Sequence, residues 1–333
     1  MNPQSAKRAI SHLVERKVPI FLWGPPGIGK SSIVKQIANE SDVEYIDLRL
    51  SLLDPTDLRG IPFFDAKNDK AIWAPASFLP EDKGSKGILF LDELNTAAPM
   101  VQASAYQLIL DRKIGEYELP EGWAIVAAGN RESDRGVVFR MAAPLANRFV
   151  HLDMEVSLPD WQEWAKASDI DQSIIAFSSY RPDALFSFSA QNDSKAFATP
   201  RTWEYVNEII KSEPEDDLLM DLIKGAIGEE LAASFLGFRS VASSLPNIDD
   251  ILSGESNKVP EETAALHILC TSLTMRINDE TRAAELDNLL RYTLNLPGEF
   301  AVMIVQDLRQ RDIGLDYIKS WPLWIKQFNS LMK

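Results

Sequence analysis

The chain has 333 residues, of which 45% are hydrophobic, and its Asp and Glu outnumber its Lys and Arg by 49 to 34. This length predicts two or three domains of roughly 100–200 residues each. A formal charge of −15 argues against a general nucleic-acid binder, because such affinity comes largely from neutralising phosphates. No apolar run approaches the roughly 20 residues of a membrane span, the N-terminus lacks a secretory signal and Cys270 is the single cysteine. These features favour the cytoplasm.

The first half of the chain alternates strand and helix signals. Short apolar runs predict buried strands, and apolar residues spaced three or four apart predict helices. The predicted strands are Ile20–Trp23, Tyr45–Leu48, Ile88–Leu91, Trp123–Ala128 and Val150–Met154, and the predicted helices are Pro3–Arg16, Ser31–Asn39 and Thr96–Asp111. This alternation predicts an α/β domain with a parallel sheet covered by helices on both faces.

From Asp160 onward, helix signals dominate and strand signals nearly vanish. The stretch 243–260 is rich in Ser, Asn, Asp, Gly and Pro and predicts a loop. The predicted helices are Trp161–Ala167, Pro200–Lys211, Asp216–Ala226, Glu229–Phe238, Glu261–Ile277, Asp279–Leu294, Pro297–Arg311 and Ile318–Met332. We therefore predict an α/β domain over residues 1–153, an all-α domain over 154–238 and an all-α extension over 239–333.

A glycine-rich motif follows the first predicted strand directly. It consists of Gly24, Pro25, Pro26, Gly27, Ile28, Gly29, Lys30, Ser31 and Ser32. The pattern G-x-x-x-x-G-K-S between a strand and a helix is typical of a phosphate-binding loop, whose backbone N–H groups cradle phosphate oxygens. Lys30 is expected to reach the β- and γ-phosphates of ATP, and the Ser31 hydroxyl to ligate Mg²⁺.

Two acidic residues follow the predicted strand Ile88–Leu91. Asp92 and Glu93 thereby lie at the carboxyl end of a buried strand, where ligands of parallel α/β sheets bind. Asp92 is the expected Mg²⁺ ligand, and one or two carboxylates suffice because Mg²⁺ keeps several waters. Glu93 is expected to orient and polarise the attacking water. A solvated acidic turn is the alternative, which the upstream phosphate-binding motif disfavours.

Three further polar residues lie at element boundaries. Asn130 follows the predicted strand Trp123–Ala128, and its amide can bond the γ-phosphate and position the lytic water; a simple Asn turn with Gly129 is the alternative. Arg148 precedes the last predicted strand, and Arg201 begins a predicted helix. A guanidinium aimed at a transferring phosphoryl group is worth roughly 10³–10⁵ in rate. A plain surface arginine is the alternative for both.

These motifs together resemble an AAA+ ATPase of the MoxR-like branch, over about residues 21–238. The segments that carry the resemblance are 24–31, 53–62, 71–80, 91–95, 119–123, 129–132, 145–149 and 199–203. Through residues 296–301 and its helical segments, the tail from about residue 239 to 333 resembles the extensions of bacterial MoxR-like proteins found beside von Willebrand A-domain proteins.

The resemblance implies a P-loop α/β module with a helical lid, Mg²⁺-dependent ATP hydrolysis and a hexameric ring. In that family the Asn130 position is sensor 1, the Arg148 position is the finger that reaches a neighbour's nucleotide, and the Arg201 position is sensor 2. The family also carries an insert in its second helix and a hairpin before sensor 1, which correspond here to residues 52–77 and 113–121. Family members often have Asn-Pro at sensor 1, whereas this chain has Asn130-Arg131, which makes Arg131 and Arg135 additional interface candidates.

The resulting hypothesis is an ATPase that remodels a protein partner, with a von Willebrand A-domain protein as the candidate. A DNA-translocating or DNA-unwinding motor is the first alternative, but it predicts a basic stripe along the insert or hairpin. Residues 54–60 and 65–70 carry mixed charge and residues 115–121 are acidic. A nucleotide-gated scaffold that hardly hydrolyses is the second, and Glu93 argues against it. His12, His151 and His267 lack metal-site spacing and are interpreted as structural or surface residues.

Overall fold

The computed structural model describes residues 1–67, 69–134, 139–188, 194–241, 245–278 and 281–331. The chain divides into two compact units. Unit 1 comprises Met1–Asp160, and unit 2 comprises the described residues from Trp161 onward.

Unit 1 is built on a parallel sheet flanked by helices. The strands in chain order are β1 (Ile20–Trp23), β2 (Glu44–Arg49), β3 (Ile61–Asp65), β4 (Lys70–Ala74), β5 (Lys86–Asp92), β6 (Lys113–Ile114), β7 (Tyr117–Glu118), β8 (Gly122–Gly129) and β9 (Val150–Asp153). The helices are α1 (Pro3–Glu15), α2 (Lys30–Glu40), α3 (Pro55–Arg59), α4 (Pro99–Asp111) and α5 (Ala143–Ala146). The five strands predicted from apolar runs are confirmed, and they form one parallel sheet in the order β2-β5-β8-β1-β9.

The strands of this sheet coincide with the most apolar runs of the sequence. Helices cover both faces of the sheet, so side chains on both faces are buried. Residues 88–91 of β5 and 123–129 of β8 are buried throughout. One large core cluster includes Phe21, Leu89 and Trp123 and packs against apolar residues of α4. The predicted helix Thr96–Asp111 begins later than expected, at Pro99, a residue that suits the first helical turn.

Two antiparallel hairpins lie in the segments assigned to the insert and the pre-sensor hairpin. Within residues 52–77, α3 is followed by β3 and β4, with Ile61 opposite Ala74. Within residues 113–121, β6 and β7 pair through Ile114 and Tyr117. The Lys113 ammonium lies 3.3 Å from a Glu118 carboxylate oxygen across this second hairpin.

Unit 2 is helical. Its helices are α6 (Leu158–Ala167, which begins just before the unit boundary), α7 (Gln172–Tyr180), α8 (Pro200–Lys211), α9 (Asp216–Ile227), α10 (Glu229–Val241), α11 (Ile248–Ser253), α12 (Thr263–Arg276), α13 (Ala283–Thr293), α14 (Gly298–Gln310) and α15 (Trp321–Phe328). No described helix is both long and apolar enough to cross a membrane. The residues Asp279 and Met332, which bound two predicted helices, lie outside the described residues.

Helices from the two predicted all-α segments pack together within unit 2. The ring of His267 on α12 lies 5.7 Å from that of Tyr180 on α7 and 4.9 Å from that of Phe300 on α14. Lys166 on α6 forms an ion pair with Asp307 on α14. Unit 2 thus includes helices from both segments, and a boundary between two domains at residue 238 stays a prediction.

The loop predicted over 243–260 is wrong for six of its residues, which form α11. The Asn247 side chain accepts a hydrogen bond from the backbone N–H of Asp249 at 2.9 Å and so caps the helix. Ile251 and Leu252 are buried in the core of unit 2. Capping and burial outweigh the turn-rich composition of this stretch.

Candidate functional site

The sheet brings three polar segments to one edge. Because β5, β8 and β1 are neighbours and parallel, the chain leaves all three strands on the same side. The strand order also reverses at β1, which lies between β8 and β9. Ligands of open α/β sheets bind at the carboxyl ends of the strands beside such a reversal. We call the carboxyl ends of β1, β5 and β8 the carboxyl edge.

The glycine-rich loop connects β1 to α2 at this edge. Gly29 has φ of 92° and caps α2 without any side-chain hydrogen bond to the first turn, so the N–H groups of that turn lack a side-chain cap. Gly24 is tightly enclosed, because a Cβ atom there would lie 2.9 Å from the carbonyl oxygen of Met154. A loop of this geometry presents its backbone donors and the positive end of α2 to an anion.

Lys30 connects the loop to the end of β8. Its Nζ donates hydrogen bonds to the carbonyl oxygens of Gly24 at 2.6 Å and Pro25 at 3.0 Å. It also donates to Oδ1 of Asn130 at 3.1 Å. The lysine and the asparagine that the sequence assigned to phosphate contacts are thus direct neighbours, although 100 positions separate them.

Asp92 and Glu93 lie at the end of β5, close to the Asp47 carboxylate on the neighbouring strand β2. The Glu93 backbone N–H donates to Oδ1 of Asp92 at 2.9 Å, and Glu93 has a left-handed φ of 57°, which a non-glycine residue adopts only under local constraint. Burial raises the pKa of Asp92, and the charge of Asp47 on β2 raises it further, while the Glu93 N–H and the Lys30 ammonium lower it. The Ser51 hydroxyl donates a hydrogen bond to Oε2 of Glu93.

These residues fit a magnesium–nucleotide complex. The Asp92 carboxylate and the Ser31 hydroxyl are hard oxygen donors of the kind that Mg²⁺ prefers. A half-buried carboxylate whose pKa is raised by burial and by neighbouring acids gains most from a nearby cation. Lys30 and the uncapped first turn of α2 supply positive charge for phosphate oxygens.

Asn95 supports the end of β8 and was not identified from the sequence. Its Nδ2 donates to the backbone carbonyl of Asn130 at 2.7 Å, and it is buried, with only 2% of its surface exposed. A Cβ atom at residue 129 would lie 2.1 Å from Oδ1 of Asn95, so this close approach requires Gly129. Ser51 and Asp47 were missed as well, because they reach the site only through the pairing of β2 with β5.

The two catalytic arginine candidates lie in different units. Arg148 in unit 1 is exposed, and in the described part of the chain its guanidinium has no hydrogen bond or ion pair. Arg201 in unit 2 is the second residue of α8, where Thr199 caps the helix by accepting from the Thr202 N–H at 3.1 Å. Burial raises the pKa of Glu204, and the Arg201 charge lowers it.

Arg131 and Arg135 are the two additional interface candidates, and the structure describes only the first of them. Arg131 is engaged within unit 1, because its Nε lies 3.3 Å from Asp153 Oδ1 and its guanidinium donates to the Met154 carbonyl at 3.2 Å. It joins the ends of β8 and β9. Arg135 lies outside the described residues.

The AAA domain family (dynein-related subfamily) matches residues 19–149, the region that carries every motif of the carboxyl edge. This chain contains a P-loop ATPase domain of the AAA+ type. The match supports ATP binding at the loop of residues 24–32. The MoxR-like branch remains an interpretation of the sequence.

Two curated relatives are similar over part of the AAA+ domain. The replication factor C large subunit of Ignicoccus hospitalis is 32% identical over 105 residues, which are 32% of this chain and 20% of that protein. The Holliday junction branch migration complex subunit RuvB of Parabacteroides distasonis is 30% identical over 115 residues, 34% of this chain and 26% of that protein. The matches therefore span only a fifth to a quarter of the length of these relatives.

The solved structures that match this chain are distant in sequence and have low TM-scores. The RuvB branch migration motor of Thermotoga maritima is 15% identical, with 97% of this chain and 87% of that chain covered and a TM-score of 0.37. NtrX from Brucella abortus in complex with ADP is 14% identical, with 98% and 68% covered and a TM-score of 0.43.

Proposed function

We propose that this protein is a cytoplasmic, MoxR-like ATPase that assembles into a hexameric ring and uses ATP hydrolysis to remodel a protein partner. The observation that carries the ATPase assignment is the convergence of Lys30, Asp92-Glu93 and Asn130 at one edge of the sheet. Phosphoryl transfer needs positioning and charge stabilisation rather than covalent chemistry, and these residues are of the types that provide both.

Each residue of the edge has a distinct task in this proposal. Lys30 exchanges part of its contacts with loop carbonyls for oxygens of the β- and γ-phosphates. Glu93 orients the attacking water and accepts its proton, and Asn130 positions that water against the γ-phosphate. When bound, Mg²⁺ offsets phosphate charge and would be held by Ser31 and Asp92.

The two arginines complete the proposal. Arg148 has no polar partner in the described part of its own chain, which suits a role at a neighbour's nucleotide. A head-to-tail contact of that kind closes into a ring or winds into a helix, and the family resemblance favours a ring. Arg201 acts as sensor 2, in its own subunit or in a neighbour's.

The β3–β4 hairpin supports a protein as the partner. Ile61, Phe63 and Phe64 are 63%, 51% and 70% exposed, and such a cluster of exposed large apolar side chains is unusual. Residues 61–74 contain two Asp and two Lys, so their formal charge is zero. A hairpin with exposed apolar side chains and no net charge suits apolar polypeptide better than a phosphate backbone.

A DNA motor is the second candidate, because the two curated relatives are named as a replication factor and a branch migration subunit. The overall charge of −15 and the zero net charge of the hairpin argue against it. We expect duplex DNA at physiological salt to bind no better than about 10⁻⁴–10⁻⁶ M, the non-specific range.

Phosphate release from ATP tests the proposal. The purified chain should release phosphate with Mg²⁺ and stop when EDTA removes the metal. A von Willebrand A-domain protein encoded beside this chain should change the rate, and Phe63→Ser with Phe64→Ser should abolish that change while leaving the basal rate intact. Stimulation by duplex DNA instead, with nanomolar binding, would favour the DNA motor.

A further inference from the structure

His151 on β9 connects the strand that precedes the glycine-rich loop to the turn that carries Arg148. The Trp23 indole Nε1 donates a hydrogen bond to Nδ1 of His151 at 2.9 Å. The other ring nitrogen, Nε2, lies 2.8 Å from the carbonyl oxygen of Ala146. An indole N–H can only donate, so Nδ1 must accept, and Nε2 must carry the proton that it donates to Ala146. The two contacts together require one tautomer of the neutral ring.

Aromatic packing holds the imidazole in the same orientation. The ring of His151 stacks on that of Trp23, with centroids 5.9 Å apart and an interplanar angle of 21°. Phe149 meets it edge-on at 6.3 Å and is itself part of the unit 1 core. The ring of Phe21 also lies 5.9 Å from it. The imidazole is therefore fixed by two hydrogen bonds and three aromatic rings, although it is exposed in the isolated chain.

The Ala146 carbonyl that His151 contacts belongs to the backbone that presents Arg148. We call residues 145–149 the Arg148 turn. The Ala146 carbonyl also accepts from the Phe149 N–H at 3.2 Å, and the Leu145 carbonyl accepts from the Arg148 N–H at 3.0 Å. At the other end of the link, Trp23 directly precedes Gly24.

We propose that His151 is a positioning residue for Arg148: it fixes the Arg148 turn against β1, so that the guanidinium points towards the nucleotide of a neighbouring subunit. This inference rests on the proposed function, in which Arg148 acts in trans. His151 thus acts on the site of the neighbour, through Arg148. The rival role is local support of the glycine-rich loop of its own subunit through Trp23.

Subunit mixing separates these two roles. His151→Phe keeps the stacking but loses both hydrogen bonds, so hydrolysis should fall about tenfold, within the range of two ordinary hydrogen bonds, while ATP affinity stays unchanged. In excess Glu93→Gln subunits, each His151→Phe subunit keeps its own Glu93 and receives an intact Arg148 turn. Its rate should then equal that of wild-type subunits diluted into the same excess. His12→Phe, an exposed histidine elsewhere in unit 1, should hydrolyse like the wild type.

The controls separate a failure of this inference from a failure of the proposed function. Arg148→Ala in the same mixture should also recover; if it does not, the trans role of Arg148 fails, and the proposed function with it. If Arg148→Ala recovers and His151→Phe stays slow or loses ATP affinity, His151 supports its own site and the inference is overturned. Should His151→Phe not fold, Trp23→Phe removes the donor to Nδ1 while keeping an aromatic ring beside His151, and it should show a smaller loss with the same recovery.

Discussion

Two cations of unit 1 are in opposite situations. Lys30 donates to three oxygens of its own chain and connects the loop after β1 to Asn130, which follows β8. Arg148 is exposed and has no polar partner in the described part of its chain. The carboxyl edge is thus internally connected, whereas the Arg148 turn presents its charge outward. We infer that the edge binds nucleotide without help and that hydrolysis requires a second copy of the chain.

The largest effect should come from the cation of the carboxyl edge. Lys30→Ala deletes the phosphate-facing ammonium and leaves the Asn130 amide without its donor, so ATP binding and hydrolysis should both be lost. Titration with a fluorescent ATP analogue measures this. Lys35→Ala, an exposed lysine on the same helix, is the matched control and should bind normally. Normal binding by Lys30→Ala would show that this edge is not the phosphate site.

Arg148, the outward-facing cation, should affect the rate of ATP hydrolysis and not the affinity for ATP. Arg148→Ala should retain ATP affinity and lose about 10³-fold or more in rate, the usual worth of such an arginine. Titration calorimetry and steady-state phosphate release give the two quantities. Arg140→Ala removes another exposed arginine of unit 1 and should leave both unchanged. A parallel loss of affinity in Arg148→Ala would mean that the two regions are not separable.

Glu93→Gln should leave binding intact and reduce hydrolysis about a hundredfold or more, because the amide cannot accept the proton of the attacking water. Single-turnover hydrolysis isolates this step from product release. Glu44→Gln at the amino end of β2 changes a carboxylate at the edge of the sheet opposite the carboxyl edge. This variant should behave as wild type. Wild-type turnover by Glu93→Gln would assign the base to another residue.

The smallest effect on hydrolysis should come from removing the Ser51 hydroxyl, which supports Glu93. Ser51→Ala removes the hydroxyl that donates to the Glu93 carboxylate, so the carboxylate loses its orientation and hydrolysis should fall by about tenfold or less. ATP affinity should not change, because Ser51 lies after β2 and outside the glycine-rich loop. Ser41→Ala, an exposed serine before β2, is the control. An unchanged rate in Ser51→Ala would mean that this hydrogen bond does not serve catalysis.

The sheet and the positions of the main motifs could be predicted from the sequence for a physical reason. Strands buried on both faces read as continuous apolar runs, and Gly24, Asp92 and Asn130 each follow such a run. Parallel strands then place these residues at one edge. Their roles in hydrolysis stay predictions until the variants are measured.

The supporting contacts could not be predicted, because they depend on strand order rather than on local pattern. Ser51 meets Glu93 only because β2 pairs with β5, and Asn95 meets Asn130 across 35 positions. His151 has no spacing suited to a metal site, and the sequence predicts only a structural or surface residue there. Its link from Trp23 to Ala146 exists because β9 returns beside β1.

The dependence of ATPase rate on protein concentration tests most directly whether the carboxyl edge needs a second copy. With saturating Mg²⁺ and ATP, the account predicts a rate per chain that rises with concentration and reaches a plateau as assemblies form. Light scattering of the same samples should show larger particles over the same range. A monomer with full and constant activity down to nanomolar concentration would contradict the account.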